Sequence, residues 1–255
     1  MLEVKNLSKN FGGVVAVSKY NLVLEDNEIL GLIGPNGAGK TTVFNLLSGN
    51  IKPSSGDIIF DNHNITNYTS DQTAKIGLAR TFQNIKLFAE LSVLDNIKVG
   101  FHMRMGASFF STILNTSKYR KYEEEISKKS IELAHLLGIE SLLYESTKEL
   151  SYGDQRKMEI ARALATQPKI LLLDEPAAGM NPQETNSLME TIKKIHKDFK
   201  ISILIVEHDI KFIMNLCKRI QVLDQGSLLA EGAPDEIKNS KKVIEAYLGT
   251  PKKAN

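Results

Sequence analysis

Eight consecutive residues, Gly34-Pro35-Asn36-Gly37-Ala38-Gly39-Lys40-Thr41, constrain this chain more than any other stretch. They fit the pattern GxxxxGK[ST]. A continuous apolar run, Ile29 to Ile33, precedes them, and a helical stretch from Thr42 to Ser48, stopped by Gly49, follows. Strand, glycine-rich loop and helix in that order build a phosphate cup. Glycines let the backbone turn its N–H groups inward, and the helix beginning near Lys40 points the positive end of its dipole at the same place. Lys40 adds a point charge for the β- and γ-phosphates, and the Thr41 hydroxyl can ligate Mg²⁺. The expected nucleotide-binding set is Gly34, Asn36, Gly37, Ala38, Gly39, Lys40, Thr41 and Thr42. An accidental glycine-rich turn is the competing reading, and the flanking elements weigh against it.

Around this loop the pattern changes along the chain. Alternation at Leu2/Val4, a Gly12-Gly13 turn, and Val15/Val17 leading to Leu22/Leu24 predict a small antiparallel sheet. Asp57 to Phe60 and the Asp61-Asn62 turn continue it. From about Leu94 to Leu143 helical spacing takes over, clearest at Ile126, Leu133 and Leu137. Helix and buried strand then alternate through Arg156–Thr166, Ile170–Leu173, Glu184–Lys197 and Ile201–Val206, the rhythm of a parallel sheet covered on both faces. A strand pair around Asp224-Gln225-Gly226 and a helix ending near Leu248 close the chain.

The strand Lys169 to Leu173 runs into two carboxylates, Asp174 and Glu175. In an open parallel sheet, ligands sit beyond the carboxyl ends of the strands, and the phosphate loop already marks that edge. Asp174 therefore falls near the Mg²⁺, and Glu175 is placed to polarise the water that attacks the γ-phosphate. A solvated strand-end turn is the plainer alternative. The strand ending at Val206 delivers Glu207-His208-Asp209 to the same edge, where His208 can hydrogen-bond the γ-phosphate or the water. His63, His102, His135 and His196 read as solvated residues of turns and helices.

Taken with Leu150-Ser151-Tyr152-Gly153-Asp154-Gln155, these residues resemble the ATP-binding subunits of ABC transporters, essentially from residue 1 to 250. The resemblance implies an α/β P-loop NTPase with a mostly parallel, RecA-like core sheet, an N-terminal antiparallel β subdomain and a helical insertion. One domain spans 1–255: 1–93 and 156–250 form the nucleotide-binding core, and 94–155 the helical subdomain with the signature segment. That signature is usually LSGGQ; here Tyr152 replaces one glycine and an added Asp154 precedes Gln155. It implies ATP sandwiched head-to-tail between two subunits, with Ser151, Gly153 and Gln155 of one facing the phosphate loop of the other. Standing alone, the segment would read as a Ser N-cap with a Gly turn.

Other positions match the family one at a time. Gln83, in Arg80-Thr81-Phe82-Gln83, matches the glutamine that touches Mg²⁺ and the attacking water. Phe11 matches the aromatic that stacks on adenine, with a core phenylalanine as the competitor. Asn181 stands where the family more often has Asp. The signature, the stretch Glu175 to Thr185, Arg80 to Phe88 and the C-terminal Ile244-Glu245-Ala246-Tyr247-Leu248-Gly249 are similar to ATPases of branched-chain amino-acid importers. The ATPase of lipopolysaccharide export and those of urea or amide importers are the near alternatives. Phe109, Phe110, Ile113 and Leu114 form an apolar stretch, either the buried face of a short helix or a seat for a cytoplasmic helix of a membrane subunit.

Composition narrows the partners. With 32 basic and 30 acidic residues, a net charge of +2 predicts no bulk attraction to nucleic acid. One cysteine, Cys217, excludes an intramolecular disulfide framework, and it reads as a small buried helix residue. No window approaches the ~18 apolar residues of a spanning helix, so membrane work would need other chains. The resemblance implies a peripheral protein on the cytoplasmic face of the inner membrane. Its expected partners are ATP, Mg²⁺, an equivalent or paralogous ATPase subunit, transmembrane permeases and, through them, a solute-binding protein. A soluble ABC ATPase acting on ribosomes or DNA would call for tandem domains, a coiled-coil insertion or zinc cysteines, and a small-molecule kinase would need no signature.

Overall fold

The computed structural model describes residues 1–81, 86–105 and 117–248. β1 (Leu2–Phe11) and β2 (Val14–Leu24) form a hairpin, and β3 (Ile29–Ile33) leads into α1 (Lys40–Leu47). β4 (Ser55–Phe60) and β5 (His63–Asn64) join the hairpin in an antiparallel sheet of order β2-β1-β4-β5. After α2 (Ser70–Lys75) and β6 (Leu78–Arg80) come α3 (Val93–Met105) and α4 (Ser117–Leu136). α5 (Tyr152–Ala165), β7 (Ile170–Asp174), α6 (Pro182–Phe199), β8 (Ser202–Val206) and α7 (Ile210–Leu216) then alternate. β9 (Arg219–Asp224), β10 (Ser227–Gly232), α8 (Pro234–Asn239) and α9 (Lys241–Leu248) complete the described chain.

The core sheet has the order β10-β9-β3-β8-β7-β6, parallel throughout except for the β9–β10 hairpin. Every residue of β3, β7 and β8 is buried, and the period of two sorts them. Ile29, Ile33, Leu171, Leu173, Ile203 and Ile205 pack into the cluster of the helical side, with Met158, Ile192 and Phe212. Leu30, Leu32, Ile170, Leu172, Leu204 and Val206 face the other way, onto α1 and the antiparallel sheet. Continuous apolar runs are what a sheet covered on both faces requires. Gly31 lets α7 approach closely, since a Cβ there would lie 2.9 Å from Ile213 Cγ2 and 3.1 Å from Cys217 Sγ. Cys217 is buried just past the end of α7, and burial pushes its thiol well up.

α3, α4 and α5 pack on one another as a helical layer. Two sequence expectations shift here. The helix expected at Arg156–Thr166 begins at Tyr152, because the Ser151 hydroxyl accepts the Asp154 N–H and caps it. This continuous helix crosses the boundary expected at 155/156. β6, a three-residue edge strand pairing Leu78–Arg80 with Ile170–Leu172, has too few residues to show a period. Phe109, Phe110, Ile113 and Leu114 lie outside the described residues.

Candidate active site

The phosphate loop is clamped from two sides. At Gly39, φ is +104° and a Cβ would come 2.6 Å from Ala16 O on β2. At Gly34 a Cβ would come 2.2 Å from Leu223 O on β9. The β9–β10 turn ties the two together: Gly226 N–H donates to Ala38 O at 3.0 Å, and Ser18 N–H to Gly226 O at 2.8 Å. α1 opens without a side-chain cap and without an acid in its first turn, so its leading N–H groups and its positive end are uncompensated. The Lys40 ammonium folds back onto the loop and donates to Gly34 O at 2.7 Å and Pro35 O at 3.0 Å. Burial lowers its pKa, while Glu175 and Asp174 pull it back up. Asn36, Gly37 and Thr41 are exposed, and Thr42 is half-buried.

Strand register brings the carboxylates to this loop. Val206 pairs with both Leu32 and Asp174, so Asp174 stands level with the end of β3, at the start of the loop. Asp174 is fully buried. Its Oδ2 accepts from Arg80 at 2.8 Å, whereas Oδ1 has no hydrogen-bond partner among the described residues. Glu175, next along, has φ +49° and donates its N–H to Val206 O. Its Oε1 lies 2.7 Å from His208 Nε2. The buried carboxylate of Glu207 accepts the N–H groups of Ala177 at 2.6 Å and of His208 at 3.0 Å, fixing both loop segments. Its pKa is raised by burial. Asp209 caps α7 through the N–H groups of Lys211 and Phe212.

Other expected residues divide. Gln83 lies outside the described residues, although both flanks are fixed: Thr81 N–H donates to Leu172 O at 3.0 Å, and buried Asn96 holds the backbone of Phe88. Phe11 is 50% exposed at the tip of the β1–β2 hairpin, with the Lys9 ammonium 5.1 Å from its ring. The core alternative is thereby excluded. Val14, its partner across the hairpin, lies two residues from Ala16 at the loop. Ser151 is exposed, and its hydroxyl donates to Asp154 Oδ2 at 2.7 Å. Lys157 pairs with the other Asp154 oxygen at 3.3 Å, offsetting the negative charge that would oppose a phosphate there. Gly153 and Gln155 sit in the first turn of α5. Tyr152 covers Gly179, whose missing Cβ would lie 3.2 Å from its ring. Asn181 forms a capping box with Glu184 at the start of α6. His63 and His135 are exposed; His102 pairs with Glu123, and His196 bonds Ile201 O.

Three residues given no role from the sequence contact this machinery: Arg80 on Asp174, Glu207 behind the Glu175 loop, and Tyr247. Burial raises the pKa of the Tyr247 hydroxyl, and the nearby backbone of Gly34 works against that rise. In sequence the only hint of Arg80 is a charge at the end of an apolar segment.

The buried Asp174 Oδ1 needs a partner, and a hard cation is one it fits. Among the described residues no group of three or more His, Cys, Asp or Glu could hold a metal by itself. That suits Mg²⁺, which is commonly held by one or two protein groups and the substrate's phosphates.

The family model for ABC transporters matches residues 17–178, and that for the branched-chain amino acid ATP-binding cassette transporter matches residues 227–253. The high-affinity branched-chain amino acid transport ATP-binding protein LivG of Escherichia coli K12 is 43% identical over 98% of both chains. The lipopolysaccharide export system ATP-binding protein LptB of the same organism is 34% identical over 97% of both. The ADP conformation of MJ1267, an ATP-binding cassette of an ABC transporter, superposes with a TM-score of 0.85 at 30% identity, covering 98% of this chain and 99% of that one. A dimeric, post-hydrolysis cassette, MJ0796 bound to ADP and phosphate, does so at 0.78 and 26% identity, covering 92% and 99%. A phosphate loop, two strand-end carboxylates and a signature helix, matched along nearly the whole chain, place this protein in the family of ATP-hydrolysing, ATP-binding subunits of ABC transporters.

Proposed function

We propose that this chain is the ATPase of a branched-chain amino-acid importer, working with separate membrane permeases that receive solute from a binding protein. The observation carrying this reading is the 43% identity to LivG over 98% of both chains, beside the lower 34% for LptB. It is supported by the C-terminal match at residues 227–253. No helix among the described residues is long and apolar enough to cross a membrane, so the chain would act peripherally, at the cytoplasmic face.

The phosphates of ATP sit on the uncapped first turn of α1 and the loop N–H groups, with Lys40 leaving its two loop carbonyls for the β- and γ-oxygens. Phe11 stacks on the adenine. Thr41, Asp174 and Gln83 would hold Mg²⁺, which would supply neutralising charge for the phosphates. Glu175 orients and deprotonates the attacking water. His208, bonded to Glu175, is placed to reach the γ-phosphate. Ser151, Gly153 and Gln155 of a second subunit close the site from the far side, and loss of the γ-phosphate releases that closure.

The test is an affinity purification of Glu175→Gln protein from native membranes with ATP. Two polytopic permeases and a related ATPase should co-purify, together with a binding protein whose solute is a branched-chain amino acid. Lipopolysaccharide-export components instead would move the chain to that branch, and soluble partners alone would overturn the transporter role.

A further inference from the structure

Arg80 ends β6, three residues before Gln83, and its guanidinium reaches two other elements at once, β7 and α1. One nitrogen donates to Asp174 Oδ2 at 2.8 Å; the other donates to Asn45 Oδ1 at 2.7 Å and Ser48 Oγ at 2.9 Å, both at the far end of α1. The guanidinium carbon lies 5.6 Å from the centre of the Phe44 ring, also on α1. The Arg80 side chain is 6% exposed and Asp174 0%, so neither partner is screened by solvent. A planar fork gripped at several points has one orientation, which an ammonium on a flexible stem would not reproduce.

We infer that Arg80 is the positioning residue of the Mg²⁺ site, holding Asp174 by one oxygen so that the other, Oδ1, is presented to the ion. A purely structural ion pair in this interior would be expected to satisfy both oxygens, because a buried carboxylate oxygen without a partner is destabilising. Here the fork takes Oδ2 alone and Oδ1 stays buried and unpartnered among the described residues. The same fork ties that carboxylate to α1, which carries the phosphate loop at its other end, and to the strand entering the Gln83 segment. The metal carboxylate and the helix that carries the phosphate loop therefore share one anchor. This inference rests on the reading of Asp174 as a Mg²⁺ carboxylate.

The experiment measures Mn²⁺ binding by electron paramagnetic resonance in Glu175→Gln protein loaded with a non-hydrolysable ATP analogue. Arg80→Met should weaken Mn²⁺ by about tenfold or more, as loss of an outer-sphere partner of a metal ligand does, while analogue affinity in EDTA stays unchanged. Arg80→Lys should recover only part of the loss. Asp174→Asn is the control. If it weakens Mn²⁺ and Arg80→Met does not, the positioning role is wrong and the metal site stands; if Asp174→Asn has no effect, the metal assignment fails and the inference with it. Should Arg80→Met not fold, Asn45→Ala keeps the ion pair and removes one anchor. An unchanged Mn²⁺ affinity in that variant would overturn the proposal.

Discussion

Glu175 occupies a left-handed backbone conformation, φ +49°, that a residue with a Cβ adopts at a cost of about 1–3 kcal/mol. It is held there by its own N–H on Val206 O and by Glu207, which grips the N–H two residues later. The strained turn aims the carboxylate at His208 at the edge where the phosphate loop begins. Replacing Glu175 with Gln keeps the shape and removes the base, so steady-state ATP hydrolysis should fall by about 10²–10⁴-fold while filter-binding of ATP persists. Gly39→Ala acts differently. The added methyl meets Ala16 O at 2.6 Å in a conformation, φ +104°, that alanine avoids. The loop must shift, and the ATP dissociation constant should rise by about tenfold or more, with the melting temperature moved by only a few degrees. The residues on which both predictions rest were legible because each interrupts a pattern: glycines after an apolar strand, acids at the end of another. Arg80 was not, since its partner Asp174 is 94 positions away and only strand register joins them.

At the level of elements, a polar bridge helps to join the two sheets. The Tyr20 hydroxyl of β2 donates to Gln221 Oε1 of β9 at 2.5 Å, and Arg219 of β9 reaches Val23 O, both Glu28 oxygens at 2.8 Å, and Glu231 of β10. Burial opposes ionisation of Glu28, but the Arg219 hydrogen bonds outweigh it and leave its pKa below the ordinary 4.5. The unfolded chain therefore binds a proton that the folded chain releases, and stability contributed by the pair rises with pH through that window. Arg219→Met should cost about 1.5–3 kcal/mol at pH 7, measured by urea unfolding. The difference from the unsubstituted protein should shrink as pH falls below 4.5 through the depressed value, and an undiminished difference at pH 3 would rule the linkage out. None of this bridge was visible in the sequence, where β2 and β9 are far apart. The elements it joins were, because alternation in the first sheet and continuous apolar runs in the second are properties of local sequence. Boundaries failed where a cap decided them: Tyr152 and Gly153 look like a turn until Ser151 is seen to accept the Asp154 N–H, which makes them the first residues of α5.

For the whole molecule, the decisive geometry is what one chain leaves open. The signature helix α5 packs against α3 and α4, whereas α1 packs against β2 and β7, and Ser151 at the start of α5 faces solvent. A phosphate bound on α1 would be closed by its own chain on the loop side, and on the reading proposed above the exposed cap of a second chain would supply the other side. Two-fold pairing of two copies of this chain would make the two sites equivalent, each with a loop from one subunit and a signature from its partner. Such an arrangement has a consequence that no single-chain active site shares. Lys40→Ala ruins the loop half of a site, Ser151→Arg ruins the signature half, and each variant alone should be inactive because both of its sites are damaged. In a mixed dimer both lesions fall in one site and the other is intact. An equimolar mixture, at concentrations that favour pairing, should recover about a quarter of the unsubstituted rate, since half of the dimers are mixed and each has one good site. A mixture as inactive as its components would show that the loop and the signature do not meet across subunits.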